Sequence, residues 1–99
     1  MNPAQHRLPE SEIADLLRQL PEWSIEEGKL ARYWTFSDFS KAMEFVHRVA
    51  QLAEQEGHHP DIDIRYNRVK LALVSHDAGG ITQRDADMAR QLDSPGLMS

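Results

Sequence analysis

The apolar positions of this chain change period several times, and each change marks an element. From Ser11 to Leu20, the residues Ile13, Leu16, Leu17 and Leu20 recur at helical spacing. With Ser11 as N-cap and Pro21 closing the segment, they predict a short amphipathic helix. Trp23-Ser24-Ile25, then Glu26-Glu27-Gly28-Lys29, then the alternating Leu30, Arg32, Trp34 and Phe36 predict a hairpin that turns near Gly28. Ser37 and Asp38 are N-cap types. After them Ala42, Phe45, Val46, Val49, Leu52 and Ala53 return to helical spacing up to about Gly57, which makes this the longest predicted helix. Core packing is the expected explanation for Phe39, Met43 and Ala50 on the same helix. Alternation resumes after Pro60, with Ile62, Ile64 and Tyr66 set against Asp61, Asp63 and Arg65. Asn67-Arg68 and the run Val69 to Val74 complete a second hairpin, in which Asn67 is the residue suited to a left-handed turn. Gly79-Gly80 breaks the chain again, and Thr82-Gln83-Arg84-Asp85 has the form of a capping box opening a last helix to about Leu92.

The element order is therefore α-ββ-α-ββ-α. It predicts an α+β fold: a four-stranded antiparallel sheet with three helices packed on one face. Composition shows no break, so residues 9–93 are expected to form a single domain between a flexible leader, residues 1–8, and a frayed tail, residues 94–99. A domain this small buries only about two thirds of the surface its unfolded chain exposes. Burial between subunits would add stability, and the sheet's outer surface or an edge strand is available for it.

Composition narrows the function. No apolar run approaches the ~20 residues of a membrane span, and the first residues lack the apolar core of a signal peptide, so a cytoplasmic protein is expected. Sixteen acidic residues against 11 basic ones give a net charge of −5, and the basic residues are spread singly along the chain. A nucleic-acid partner is not expected. The chain has no cysteine, which removes disulfides, thiolate ligands and cysteine nucleophiles. Its chemistry must use imidazoles, carboxylates or hydroxyls.

Three of the five histidines, His58, His59 and His76, flank the second hairpin. Residues before the first strand of a tight hairpin lie opposite those after its second strand, which brings the three into one neighbourhood. Imidazoles there can give and take protons near neutral pH. Glu54 and His58 are four apart at the end of the long helix, consistent either with a carboxylate orienting an imidazole or with a solvated surface pair. His59 precedes Pro60 and is pushed toward extended backbone, so the adjacent histidines leave the helix in different directions. His76 is expected to end the fourth strand on the side of Lys70, Ala72 and Val74. Asp85, at the third position of the last helix, fits a capping role as well as a chemical one. The HExxH signature is missing and adjacent histidines rarely share one ion, so no metal site is assigned. His6 and His47 lie outside the cluster.

These residues closely resemble a known family. Glu54-x3-His58-His59-Pro60, Tyr66-Asn67-x-Val69, His76 and Thr82-x-Arg84-Asp85 match the pterin-4a-carbinolamine dehydratases, as do Trp34-x-Phe36-x-Asp38-Phe39 and Ala50-x-x-Ala53-Glu54. The resemblance runs from Trp23 to Leu92. It implies dehydration of a 4a-hydroxytetrahydropterin, the carbinolamine left by an aromatic amino acid hydroxylase, to the quinonoid dihydropterin in tetrahydrobiopterin recycling. It implies no redox cofactor and no metal, and assembly as a homodimer or homotetramer. His58 and His76 would exchange protons with the pterin, and His59 would chiefly hold it. Asp85 and Glu54 would position imidazoles or contact the ring, Trp23 would wall the pocket, and Pro60 and Ser75 would join the binding residues. The rival implication is a non-catalytic protein-binding or dimer-stabilising module of the same fold, using a helix face that presents Phe39, Met43 and Ala50.

Overall fold

A computed structural model describes residues 6–94. In chain order the elements are α1 (Glu10–Gln19), β1 (Ser24–Glu26), β2 (Lys29–Thr35), α2 (Phe39–Glu56), β3 (Asp61–Arg65), β4 (Arg68–Leu73) and α3 (Gln83–Leu92). The expected α-ββ-α-ββ-α order is the one observed. All strand pairs are antiparallel, in the spatial order β1-β2-β4-β3. The two central strands thus come from different hairpins. From the end of β2, α2 carries the chain to the far edge, where β3 forms, and the second turn brings β4 back against β2.

Register assigns each residue to a face. Leu30 lies opposite Leu73, Arg32 opposite Leu71 and Trp34 opposite Val69 on one side, while Ala31–Ala72, Tyr33–Lys70 and Thr35–Arg68 pair on the other. The first face is the core. Leu30, Val69, Leu71 and Leu73 are fully buried, packed with Leu16 of α1, Phe45 and Val49 of α2, and Ala86, Met88, Ala89 and Leu92 of α3. All three helices contribute to this side of the sheet, as expected. The other face keeps Tyr33 57% exposed and carries charged side chains, including a Lys70–Glu26 ion pair at 3.0 Å. Phe45 also contacts the rings of Trp34 and Phe36, at 4.8 and 5.1 Å, which seats α2 on β2.

Three expectations are corrected. Helix α1 begins at Glu10 with Pro9 as N-cap, and no side chain caps it, so Ser11 lies inside the first turn. Glu10 and Glu12 there face the positive end of the helix dipole instead. In the second hairpin the left-handed residue is Tyr66, at φ 54°, rather than Asn67. The reason is that Asn67 is tied to Phe36 through both its side chain and its backbone: its Nδ2 donates to the Phe36 carbonyl, and its carbonyl accepts the Phe36 N–H, each at 2.8 Å. Phe39 and Met43 are 50% and 38% exposed and Ala50 is also exposed, so α2 presents an apolar strip to solvent where core packing was expected. Arg7 and Leu8, within the expected flexible leader, are both paired. Leu8 donates its N–H to the Ile81 carbonyl at 2.8 Å and Arg7 bridges Thr82, while residues 1–5, like residues 95–99 of the expected frayed tail, lie outside the described residues.

Candidate active site

The site forms where two chain segments converge: the end of α2 running into β3, and the end of β4 running into α3. Asp61, the first residue of β3, pairs with Ala72 near the end of β4. Residues just before β3 therefore adjoin those just after β4, as hairpin geometry demands.

At the end of α2, Gly57 takes a left-handed φ of 64°, and both its N–H and that of His58, the latter at 3.2 Å, turn back to the Ala53 carbonyl. A residue with a Cβ would resist that conformation, so glycine is what allows the helix to stop sharply here. The consequence is a change of partners. His58 has left the helix, the i,i+4 relation to Glu54 no longer applies, and the expected Glu54–His58 pair does not form. Glu54 Oε2 instead meets His59 Nε2 at 2.5 Å, with both side chains largely exposed.

His58 points inward. Its side chain is only 11% exposed, and its Nε2 lies 2.5 Å from Oδ1 of Asp85. Asp85 is completely buried. A carboxylate so placed must be hydrogen-bonded, and each oxygen is. Oδ2 accepts the Thr82 N–H and the Ser75 hydroxyl, each at 2.9 Å, and Thr82 caps α3 reciprocally. Donor directions in this network follow from counting protons. Ser75 spends its one proton on Asp85, so the 2.7 Å contact between the Ser75 and Thr82 hydroxyls is donated by Thr82, whose oxygen accepts in turn from the Arg84 N–H. The relay runs one way, from Arg84 through Thr82 and Ser75 to Oδ2. Oδ1 is left for the imidazole. With the carboxylate accepting, Nε2 carries the proton and Nδ1 of His58 is free to accept one. Asp85 thus serves as both capping residue and histidine partner, the two readings its position left open.

His76 is placed differently from expectation. Strand β4 ends at Leu73, and only an isolated bridge, Ser75 with Gly80, follows it. His76 lies in the turn closed by this bridge, where strand alternation no longer sets its direction, and its side chain is exposed. On one flank the turn is tied to α3 by Arg84, whose guanidinium meets Asp77 at 2.5 Å and holds that carboxyl below the usual carboxylate range.

The remaining candidates separate. Pro60 is half-buried at the entrance to β3. Ser75 is buried, with its hydroxyl committed to Asp85 and Thr82. Trp23 is in the core at 3% exposure, edge-on to Trp34 and donating its indole N–H to Asp93 at the far end of α3. Asp93 stands eight positions beyond Asp85, a rise of about 12 Å. Two partners escaped the sequence reading. Thr82 was legible as a cap but not as part of a relay, and the Asp77–Arg84 pair left no periodic signal. Beside His58, a cleft of about 100 Å³ is lined by Arg84, Asp87 and Met88 among others. A groove of about 270 Å³ lies on the opposite sheet face around Tyr33 and Arg68, away from the histidines. Among the described residues, no three His, Asp or Glu side chains converge as a metal site.

Fold and site together define a small α+β domain with a buried aspartate–histidine pair at one helix N-terminus and further histidines in the flanking turns. Residues 6–94 match the family model described as pterin 4 alpha carbinolamine dehydratase, and the chain belongs to that family. A Chloroflexus aurantiacus protein named "putative pterin-4-alpha-carbinolamine dehydratase" is 54% identical over 88% of this chain and 94% of its own length. One of the same name from Acidobacterium capsulatum is 55% identical over 83% of this chain and 89% of its own. Among solved structures, a transcriptional coactivator/pterin dehydratase from Brucella melitensis superposes with a TM-score of 0.85, at 36% identity over 95% of this chain and all of that one. A pterin dehydratase-like RuBisCO assembly factor of the alpha-carboxysome shares the fold alone, with a TM-score of 0.60 at 20% identity, covering 78% of this chain and 87% of that one.

Proposed function

We propose that this protein dehydrates a 4a-hydroxytetrahydropterin to the quinonoid dihydropterin by general acid–base catalysis with histidines. The observation that carries the reading is the buried Asp85–His58 pair, whose geometry leaves Nδ1 of His58 as a proton acceptor. Removing water from the carbinolamine breaks the bond between C4a and its hydroxyl oxygen. That oxygen takes a proton as it leaves, and a proton departs from a ring nitrogen as the new double bond forms, so the sum lost is one water. Two groups of opposite protonation are needed, and imidazoles suit both roles near neutral pH. His58, oriented by Asp85, takes one role through Nδ1, and the exposed His76 takes the other. His59, steadied by Glu54, holds the pterin together with Pro60. Ser75 acts through Asp85, and Trp23 by anchoring α3.

The reaction belongs to tetrahydrobiopterin recycling, where an aromatic amino acid hydroxylase supplies the carbinolamine. We place it in the cytoplasm, in a homodimer or homotetramer, with no metal or redox cofactor. A second reading, a protein-binding module, is favoured by the exposed strip of Phe39 and Met43 on α2.

The test is the decay of 4a-hydroxytetrahydropterin, generated in situ by a phenylalanine hydroxylase, with and without purified, chelator-treated protein. Acceleration is expected, and His58→Ala or His76→Ala should each reduce it severalfold or more with an unchanged circular dichroism spectrum. No acceleration by folded protein would abandon catalysis in favour of the binding module.

A further inference from the structure

The turn between β4 and α3 has little regular structure, yet it carries Ser75, His76 and Thr82. It is closed internally by two hydrogen bonds: the Ser75 N–H donates to the Gly80 carbonyl at 2.9 Å, and the Gly80 N–H donates to the Ser75 carbonyl at 3.3 Å. Arg84 ties one flank through Asp77. The other flank is held by the start of the chain. Leu8 donates its N–H to the Ile81 carbonyl at 2.8 Å and packs its side chain against the core, and Arg7 bridges Thr82 in antiparallel register. The stem of Arg7 then passes directly over Gly80. A Cβ at Gly80 would lie 2.7 Å from Arg7 Cδ and 3.1 Å from Cγ. Gly80 is not among the glycines with positive φ, which are Gly28, Gly57 and Gly79. Backbone freedom therefore does not explain a glycine at this position, and the close approach of Arg7 does.

We propose that Arg7 and Leu8 form a strap that positions the Ser75–Thr82 turn for the reaction, with Gly80 as the notch that seats it; the catalytic part of this inference rests on the dehydratase reading above. The strap places no atom on the substrate. It limits the opening of the turn that carries His76 and both the hydroxyl and the backbone N–H that support Asp85. Residues 7 and 8 are then positioning residues for chemistry done elsewhere.

The decisive variant is Leu8→Pro in the full chain, which deletes the one N–H that binds Ile81 while keeping an apolar side chain and leaving Arg7 extended. Hydrogen exchange at the Ser75 and Gly80 amides should quicken on the order of tenfold, while Val49 and Leu71 in the core keep their protection. Dehydration kcat should fall severalfold with an unchanged circular dichroism spectrum. Gly80→Ala should act in the same direction more weakly. Adding Arg7→Ala to Gly80→Ala should restore slow exchange, because the nearest remaining side-chain atom, Arg7 Cβ, lies 3.9 Å from the new methyl group.

Exchange in Leu8→Pro that is unchanged, or faster throughout the molecule, would overturn the strap. Faster exchange in the turn with wild-type kcat and KM would overturn its positioning role, and so would a Gly80→Ala effect that Arg7→Ala does not reverse. If the wild-type protein itself dehydrates nothing, the dehydratase reading fails, and the exchange pattern alone still decides whether the strap exists.

Discussion

The two ends of α3 each hold an aspartate bound by residues of other segments, and the two are stabilised by opposite means. Asp85, in the first turn, lies at the positive end of the helix dipole, and its partners are a backbone N–H, a hydroxyl and an imidazole. It is completely buried, and these bonds satisfy both of its oxygens. Asp93, the C-cap, lies at the negative end, where a carboxylate is disfavoured. There Arg32 meets it at 2.5 Å and the Trp23 indole at 2.9 Å, with the guanidinium also stacked 4.5 Å from the centre of the Trp34 ring. The difference explains which end can do chemistry. Helix geometry stabilises Asp85 well enough to leave one oxygen for a histidine, whereas Asp93 is consumed in holding its own charge and fastening α3 to β2. One residue type on one helix thus yields a working carboxylate at the end favoured by the dipole and a structural clasp at the other.

The sharpest way to break this comparison is Asp85→Asn. An amide cannot accept from the Thr82 N–H, the Ser75 hydroxyl and His58 Nε2–H together, because one of its ends is a donor. Dehydration should fall by about 10²-fold or more, the range ascribed to general acid–base catalysis, with about 1–3 kcal/mol of stability lost. A rate within twofold of wild type would remove Asp85 from the mechanism. Asp93→Asn should show the converse. Urea unfolding should reveal about 1–3 kcal/mol of destabilisation as Arg32 loses its carboxylate, with kcat unchanged. Lost activity at full stability would mean that the two ends are not functionally distinct.

A smaller effect separates the adjacent histidines. Glu54→Gln alters only the exposed partner of His59, so KM for the pterin should rise severalfold while stability changes by less than about 1 kcal/mol. A change in kcat alone would argue that His59 does more than hold substrate. The smallest effect is the pH dependence of the Asp77–Arg84 tie. Hydrogen bonding to Arg84 lowers the folded-state pKa of Asp77, so its contribution is present above the usual carboxylate pKa and disappears as pH falls through the lowered folded value. Asp77→Asn should therefore loosen the Ser75–Gly80 turn at neutral pH and make no difference at strongly acidic pH, as judged by amide exchange compared at each pH.

Much of this molecule was legible in the order of its residues. Element order and the two hairpins followed from periodicity, and the Thr82–Asp85 capping box followed from local chemistry. Gly28 marked its turn correctly because a left-handed residue there is a local requirement, met together with Glu27 at φ 50°. The Tyr66 turn misled because Asn67 is recruited by Phe36, 31 residues earlier. Local propensity carried no trace of that contact. Phe39 and Met43 misled in another way: helical spacing groups residues on a face without saying whether another element covers it.

The site divides along the same line. Sequence by itself determined that imidazoles, carboxylates and hydroxyls were the available chemistry, that three histidines flank one hairpin, and that an aspartate stands at the third position of a capped helix. These are matters of composition, short spacing and hairpin geometry, which act within a few residues. Tertiary structure alone decided that Gly57 would swing His58 away from Glu54, that Asp85 would receive it across 27 residues, and that Glu54 would be left to His59. Partner choice at that range depends on how the end of α2 is seated against the start of α3, and only the packed core sets that distance.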